Sequence, residues 1–246
     1  MNEEEFYNKV GEINGWNFSD LQVELEGVEW DFNEKVREIG KESDTLLDLG
    51  TGGGENVIRL AADFLFLIGI DSSQNMIRTA KRNLEKYEIS NISFHEMSNH
   101  ELAFPDQFFH IVTCRHAPFT ASEVNRVLKQ GGTFITQQVS EEDKLNLKKE
   151  FGRGQSYGEQ GGKLKQKYKV ELKEAGFTSI VELEYNATEY YKRKEDLLFL
   201  LNHTPIIPNF LEGSIDIDRF DQFIQTNKTK KGIRTNSKRF LLIATK

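Results

Sequence analysis

Residues 48 to 54 read Asp-Leu-Gly-Thr-Gly-Gly-Gly, an aspartate that closes an apolar run followed by glycines at alternate positions 50, 52 and 54. Glycine is required where a Cβ would strike a ligand or where φ is positive. A strand that ends in glycines and opens a helix turns backbone N–H groups, and the positive end of the helix dipole, toward whatever lies above it. Such a loop suits a phosphate, a nucleoside or a charged small molecule. A tight turn without a ligand would not need the aspartate–glycine alternation. Asp71 ends the next apolar run, at the separation from a glycine loop where an acid grips ribose hydroxyls in this kind of sheet. A carboxylate suits a cis-diol because it accepts two hydrogen bonds. Ser72 stands beside it, and the helix cap falls to a serine.

Further along, Arg115 and His116 follow a third polar-tipped strand, and Gln137 and Gln138 close another. Histidine titrates near neutrality, so His116 is the candidate general base, with a purely structural histidine as its alternative. Arg115 is a candidate grip for an anionic substrate, and Gln138 a candidate substrate contact. His110 is read as a surface or structural residue.

The loop discriminates among ligands. A phosphate-binding P-loop needs Lys-Ser/Thr after its last glycine, and Glu55-Asn56 stands there instead. A dinucleotide loop wants a small residue at the sixth position from Gly50, and that position is Glu55. The first reading fails; the second, a nicotinamide-dependent oxidoreductase, is weakened.

The elements that must position these residues alternate between short strands and amphipathic helices, the pattern of a parallel α/β sheet. Strands are expected at 44–50, 64–71, 92–97, 108–114 and 131–139, with helices at 54–64, 73–87 and 122–129 between them. Met76, Ile77, Ala80, Leu84 and Tyr87 share one helical face. A helical stretch at 141–150, a glycine-rich interruption at 152–162 and a helix to Ala175 follow. Strands at 177–191 and 237–245 bracket a helical insert containing Pro205 and Pro208. No repeat appears, so one domain over 1–246 is expected, with its core at 41–140.

The chain has 246 residues, 37% hydrophobic and 29% charged, an ordinary globular composition. No apolar run approaches the roughly 20 residues that cross a bilayer, and the acidic N-terminus has no signal-peptide core. One cysteine, Cys114, allows no intrachain disulfide and no cysteine metal cluster. A cytoplasmic protein is expected, with no metal site. The net charge of −7 argues against a nucleic-acid coat. The runs at 163–173 and 227–239 are nonetheless basic, either solvated surface or contacts to an anionic substrate.

Four stretches in order resemble class I S-adenosylmethionine-dependent methyltransferases, nearest to the group called methyltransferase type 11. "LDLGTGGGE" is similar to the first motif and "GIDSSQNMI" (69–77) to the second. "ELAFPDQFFHIVTCRHA" (101–117) and "SEVNRVLKQGGTFI" (122–135) are similar to the fourth-strand region and the helix-to-strand signature after it. The resemblance spans about residues 44–140. It implies a Rossmann-like, doubly wound sheet of seven strands with the last antiparallel, helices on both faces, and a lid formed by flanks 1–40 and 186–236. It implies S-adenosylmethionine as cofactor, with Gly50, Gly52 and Gly54 lining its methionine part and Asp48 supporting its amino group. Asp71 would take the ribose and Met76 the adenine.

Two departures stand out. The family's Gly-Asp-Ala after the third strand is replaced by Met97-Ser98-Asn99, leaving Ser98 and Asn99 to contact the base. His110 replaces a usual aspartate. "HAPF" (116–119) is similar to the Asn/Asp-Pro-Pro-Tyr/Phe signature of amino-methylating enzymes, but lacks its first residue and first proline. The aromatic residues Phe6, Tyr7, Trp16, Phe18, Trp30, Phe32, Tyr185, Tyr190 and Tyr191 lie in the flanks. They fit a small apolar or aromatic acceptor, methylated by in-line displacement. RNA or protein methylation, and a non-catalytic cofactor-binding module, are the alternatives. The sequence carries no mark of oligomeric state.

Overall fold

The computed structural model describes residues 20–210 and 215–246; Phe6, Tyr7, Trp16 and Phe18 lie outside them. The strands are β1 (Val23–Glu26), β2 (Thr45–Leu49), β3 (Phe66–Asp71), β4 (Ile92–Glu96), β5 (Phe109–Arg115), β6 (Leu128–Val139), β7 (Ser179–Tyr191) and β8 (Ile233–Thr245). They form one sheet in the order β1-β7-β8-β6-β5-β2-β3-β4. β2 pairs in parallel with β3 and β5, β3 with β4, and β5 with β6. β8 inserts antiparallel between β6 and β7. The Rossmann-like α/β architecture is therefore present.

The central strands are apolar on both faces, as strands covered on both sides must be. On one face Leu46, Leu67, Ile111, Ile135 and Leu241 pack with Trp30 and with Phe32 and Val36 of α1 (Phe32–Ile39). On the other, Leu47, Leu49, Ile70, Val112, Phe134 and Leu242 meet α3 (Ala121–Val127) and α5 (Lys163–Glu174) through Val124, Tyr168 and Leu172. Between these helices in sequence lie α2 (Gln74–Leu84), which buries Met76, Ile77 and Ala80, and α4 (Leu145–Phe151).

Three features differ from the sequence expectation. The sheet has an eighth strand, β1, in the flank expected to be lid; it pairs antiparallel with Thr188–Tyr191 of β7. The segment after the glycine loop is a 3-10 helix, Val57–Asp63, and not an α-helix. Branched Cβ atoms crowd its start, Arg59 N bonds Asn56 O, and the Asn91 amide captures the carbonyls of Ala61 and Phe64 at its end. The expected insert is also smaller than 186–236. The β7–β8 ladder continues unbroken to Tyr191 opposite Ile233, beyond the last β6–β8 pair at Val139 and Arg239.

That projecting ladder forms a wing past the carboxyl ends of β5 and β6. Two helices, α6 (Lys194–Asn202) and α7 (Ile215–Asn227), pack on the projecting part of β7 and β8. With α4 they enclose a separate apolar cluster of Leu147, Phe151, Leu197, Leu201, Phe220 and Phe223 against Tyr191 and Ile233.

Candidate functional site

The carboxyl ends of β2, β3 and β5 bring the expected acids together beside the glycine loop. Gly50 and Gly54 have φ of 70° and 75°, conformations that L side chains rarely adopt. A Cβ on Gly50 would lie 2.4 Å from the Ala117 Cβ, and one on Gly54 would lie 2.7 Å from the Phe94 ring. The alternating glycines thus let the loop lie flat between the β5 turn and β4.

Asp71 accepts the Gly52 N–H (2.9 Å) on one carboxylate oxygen and the Ser73 N–H (2.9 Å) on the other. Burial raises its pKa, and these two donors counteract the rise. Each oxygen keeps a further lone pair for a ligand hydroxyl. Ser73, not Ser72, caps α2 by accepting from Met76 N; Ser72 is exposed beside the Asp71 grip. Met76 is buried on the helix that leaves this turn.

Asp48 accepts the Thr113 hydroxyl (2.6 Å) across the β2–β5 pair. Withdrawal from solvent pushes its pKa up to about 6, against the lowering effect of Thr113. A carboxylate so held gains from a cationic neighbour. Asn99 donates to the Pro118 carbonyl (3.1 Å), while its buried Oδ1 has no hydrogen-bond partner. Ser98 is exposed and its hydroxyl accepts from His100 N. His110 lies at the opposite end of β5, where Nδ1 meets the Thr45 N–H (3.0 Å), a structural position.

A second group of residues lies at the carboxyl ends of β5 and β6 and beside the middle of β8. Arg115 has a buried Nε without a hydrogen-bond partner, and its guanidinium lies 5.9 Å from the Phe32 ring centroid. Burial lowers its pKa, and Arg239 adds to the effect. His116 has a left-handed φ of 58°, and its N–H bonds the Gln137 carbonyl (2.9 Å). Its Nε2 lies 3.1 Å from the Gln137 amide nitrogen, and the Gln137 Oε1 accepts from the Trp30 indole (2.8 Å).

Gln138 is a correction. Strand alternation turns it to the opposite face from Gln137. There its amide donates to the Ala117 carbonyl (2.8 Å) and to the Thr136 hydroxyl (2.9 Å), bracing the turn after β5. Gln137 is the glutamine beside Arg115 and His116.

A buried ion network that the linear pattern does not reveal joins these residues to the wing. Arg239 pairs with Asp143 (2.5 Å), and Lys144 pairs with Glu189 (2.6 Å), which also accepts the Tyr191 hydroxyl (2.9 Å). Asp143, Lys144 and Glu189 are all buried. The only local signal was Glu189 at an inward-facing position of an alternating strand. Asp143 titrates below its usual range because, although burial raises it, Arg239 and Lys144 lower it further.

Together these groups form a fitting cradle for a nucleoside joined to an amino acid. They comprise a diol-ready carboxylate, a carboxylate suited to an ammonium, an unpartnered acceptor at Asn99 and an unpartnered donor at Arg115. The profile of the methyltransferase domain family matches residues 40–176. Over 125 residues the chain is 31% identical to an uncharacterized methyltransferase, YcgJ, of Bacillus subtilis (strain 168), covering 48% of this chain and 49% of that protein. Over 150 residues it is 28% identical to a demethylmenaquinone methyltransferase of Symbiobacterium thermophilum, covering 55% of this chain and 58% of that one. The chain thus spans about half the length of the curated relatives it matches. The crystal structure of the Bacillus YcgJ protein superposes with a TM-score of 0.63 at 20% identity, covering 87% of this chain and 97% of that one.

Proposed function

The chain belongs to the methyltransferase domain family, as a class I enzyme with S-adenosylmethionine as its cofactor, and from that premise we propose that it methylates a small organic acceptor. The cofactor supplies the electrophilic methyl group on its sulfonium. Asp71 holds the ribose hydroxyls, Asp48 the amino group, and the Cβ-free positions 50, 52 and 54 admit the ligand to the loop. Met76 and Asn99 serve the adenine side. What remains for the protein is alignment of donor and acceptor and exclusion of water.

The observation that carries the small-molecule reading is the state of the basic runs. Lys163, Lys165, Lys167 and Lys169 are paired with Glu159, Glu184, Glu171 and Glu182. In the second run Lys231 pairs with Glu26, and Lys238 with Glu142 and Glu184. Lysines already neutralised by neighbours offer little to a polyanion. The acceptor side instead has Trp30 against Tyr185, with ring centroids 4.5 Å apart, and Phe32 under Arg115. These largely buried rings would back the acceptor site as an apolar wall, which supports a compact acceptor with an aromatic or apolar body, with α6 and α7 as its lid and residues 1–246 acting as a single domain.

Among the described residues no helix is long and apolar enough to cross a membrane. The single, buried Cys114 agrees with a reducing cytoplasmic setting. The test is methyl transfer from labelled S-adenosylmethionine to a panel of small aromatic and quinone-like acceptors, alongside total RNA and protein. Transfer to a small acceptor supports the reading. Transfer to RNA alone overturns it, and cofactor binding with no transfer to any class points to a binding module.

A further inference from the structure

Trp30, Gln137 and His116 form a continuous chain of side-chain hydrogen bonds, and each link constrains the next. Indole Nε1–H is a donor only. The Gln137 oxygen, 2.8 Å away, must therefore be the atom facing Trp30, and the Gln137 amide nitrogen must face His116. That nitrogen has only hydrogens to offer, so His116 Nε2 must accept with a lone pair. A neutral imidazole carries one N–H, which then sits on Nδ1.

We propose that Trp30 and Gln137 are positioning residues that fix His116 as a neutral imidazole protonated on Nδ1, so that it offers the crevice a hydrogen-bond donor and is not the reaction's base. Two observations agree. His116 Nδ1 makes no hydrogen bond among the described residues, and the His116 backbone is held in a left-handed conformation that few non-glycine residues occupy outside constrained sites. The groups that face the ring from its neighbouring elements are cationic: Arg239 from β8, Arg115 from β5 and Lys144 from the turn after β6. Burial and these three charges hold the imidazole well below its usual range. Asp143 and Glu189, the nearby acids, are engaged with Arg239 and Lys144. The tautomer stands independently of the methyltransferase reading. Only the donor's client, an oxygen of the acceptor, rests on it.

The experiment is long-range 1H–15N NMR of the full chain with labelled histidine. The His116 signals are assigned by difference with His116→Asn, because asparagine tolerates the left-handed backbone. In the wild type, Nε2 is expected as an unprotonated nitrogen and Nδ1 as a protonated one, unchanged from about pH 5.5 to 8. Gln137→Glu replaces the donor with an acceptor-only carboxylate, so Nε2 should become protonated and the ring should titrate at higher pH. Trp30→Phe frees Gln137 to turn over, so the Nε2–H tautomer should appear.

A wild-type ring that is protonated on Nε2, or that titrates like a free histidine, overturns the proposal. So does a set of signals unchanged in both variants. If either variant fails to fold, the wild-type tautomer decides by itself. Calorimetric binding of S-adenosylhomocysteine to the same samples reports separately on the cofactor reading. Loss of that binding in the wild type would count against the function without touching the tautomer.

Discussion

At the scale of single residues, the two acids beside the glycine loop carry different physics. Asp71 is held by two backbone donors and remains open to a diol. Asp71→Ala removes two charge-assisted ligand bonds and the brace on Gly52. With such bonds worth about 1.5–3 kcal/mol each, binding of S-adenosylhomocysteine is expected to weaken about 100-fold or more in calorimetry; unchanged affinity would remove Asp71 from the ribose site. Asp48 differs because its pKa is raised to about 6 by loss of solvent. In the free protein its contribution to stability is largest below the unfolded carboxylate range and falls as pH rises toward 6. A cofactor ammonium prefers the ionised form, so the cofactor's affinity should run the opposite way. It should be constant above about pH 6.5 and decline below 6, by up to about tenfold per pH unit. Asp48→Asn should flatten that profile, and a wild-type profile flat down to pH 5 would dissociate Asp48 from the ammonium.

At the scale of elements, the glycine loop and the wing depend on tight placements that tolerate little. Gly50→Ala places a Cβ 2.4 Å from Ala117 on a backbone with φ of 70°. Overpacking and left-handed strain together should cost about 2–4 kcal/mol in urea unfolding, with cofactor affinity lost in parallel. A variant as stable as the wild type would mean that the β5 turn yields. The wing is tied to the sheet by buried ion pairs. Lys144→Met leaves Glu189 with the Tyr191 hydroxyl but no cation, and about 3–5 kcal/mol of destabilisation is expected. Because α6 and α7 rest on that wing, proteolysis within 192–230 should accelerate alongside.

For the whole molecule, charge distribution separates the possible partners. The net charge is −7, and four lysines of the first basic run are engaged with Glu159, Glu171, Glu182 and Glu184. Turnover of a small acceptor should therefore change less than about twofold between 50 and 200 mM salt. Binding through several phosphate contacts loses about 10³–10⁵ over that range. A steep salt dependence would transfer the favoured reading to RNA.

The parts governed by local rules could be read from the order of residues alone. Strand and helix periods, the glycine alternation, Asp48 and Asp71 at strand ends, and the antiparallel final strand were legible because each depends on near neighbours or on a family pattern. Lys144 and Glu189 are 45 positions apart by their numbering and look like ordinary surface charges in a linear reading. Only the β7–β8 ladder, running past the end of β6, brings them together out of water. His116 shows the same division. Its residue type suggested a base because free imidazole titrates near neutrality. Trp30, 86 positions earlier by its number, and Gln137 decide which nitrogen carries the proton, since hydrogen-bond direction is fixed by three-dimensional neighbours and not by residue type.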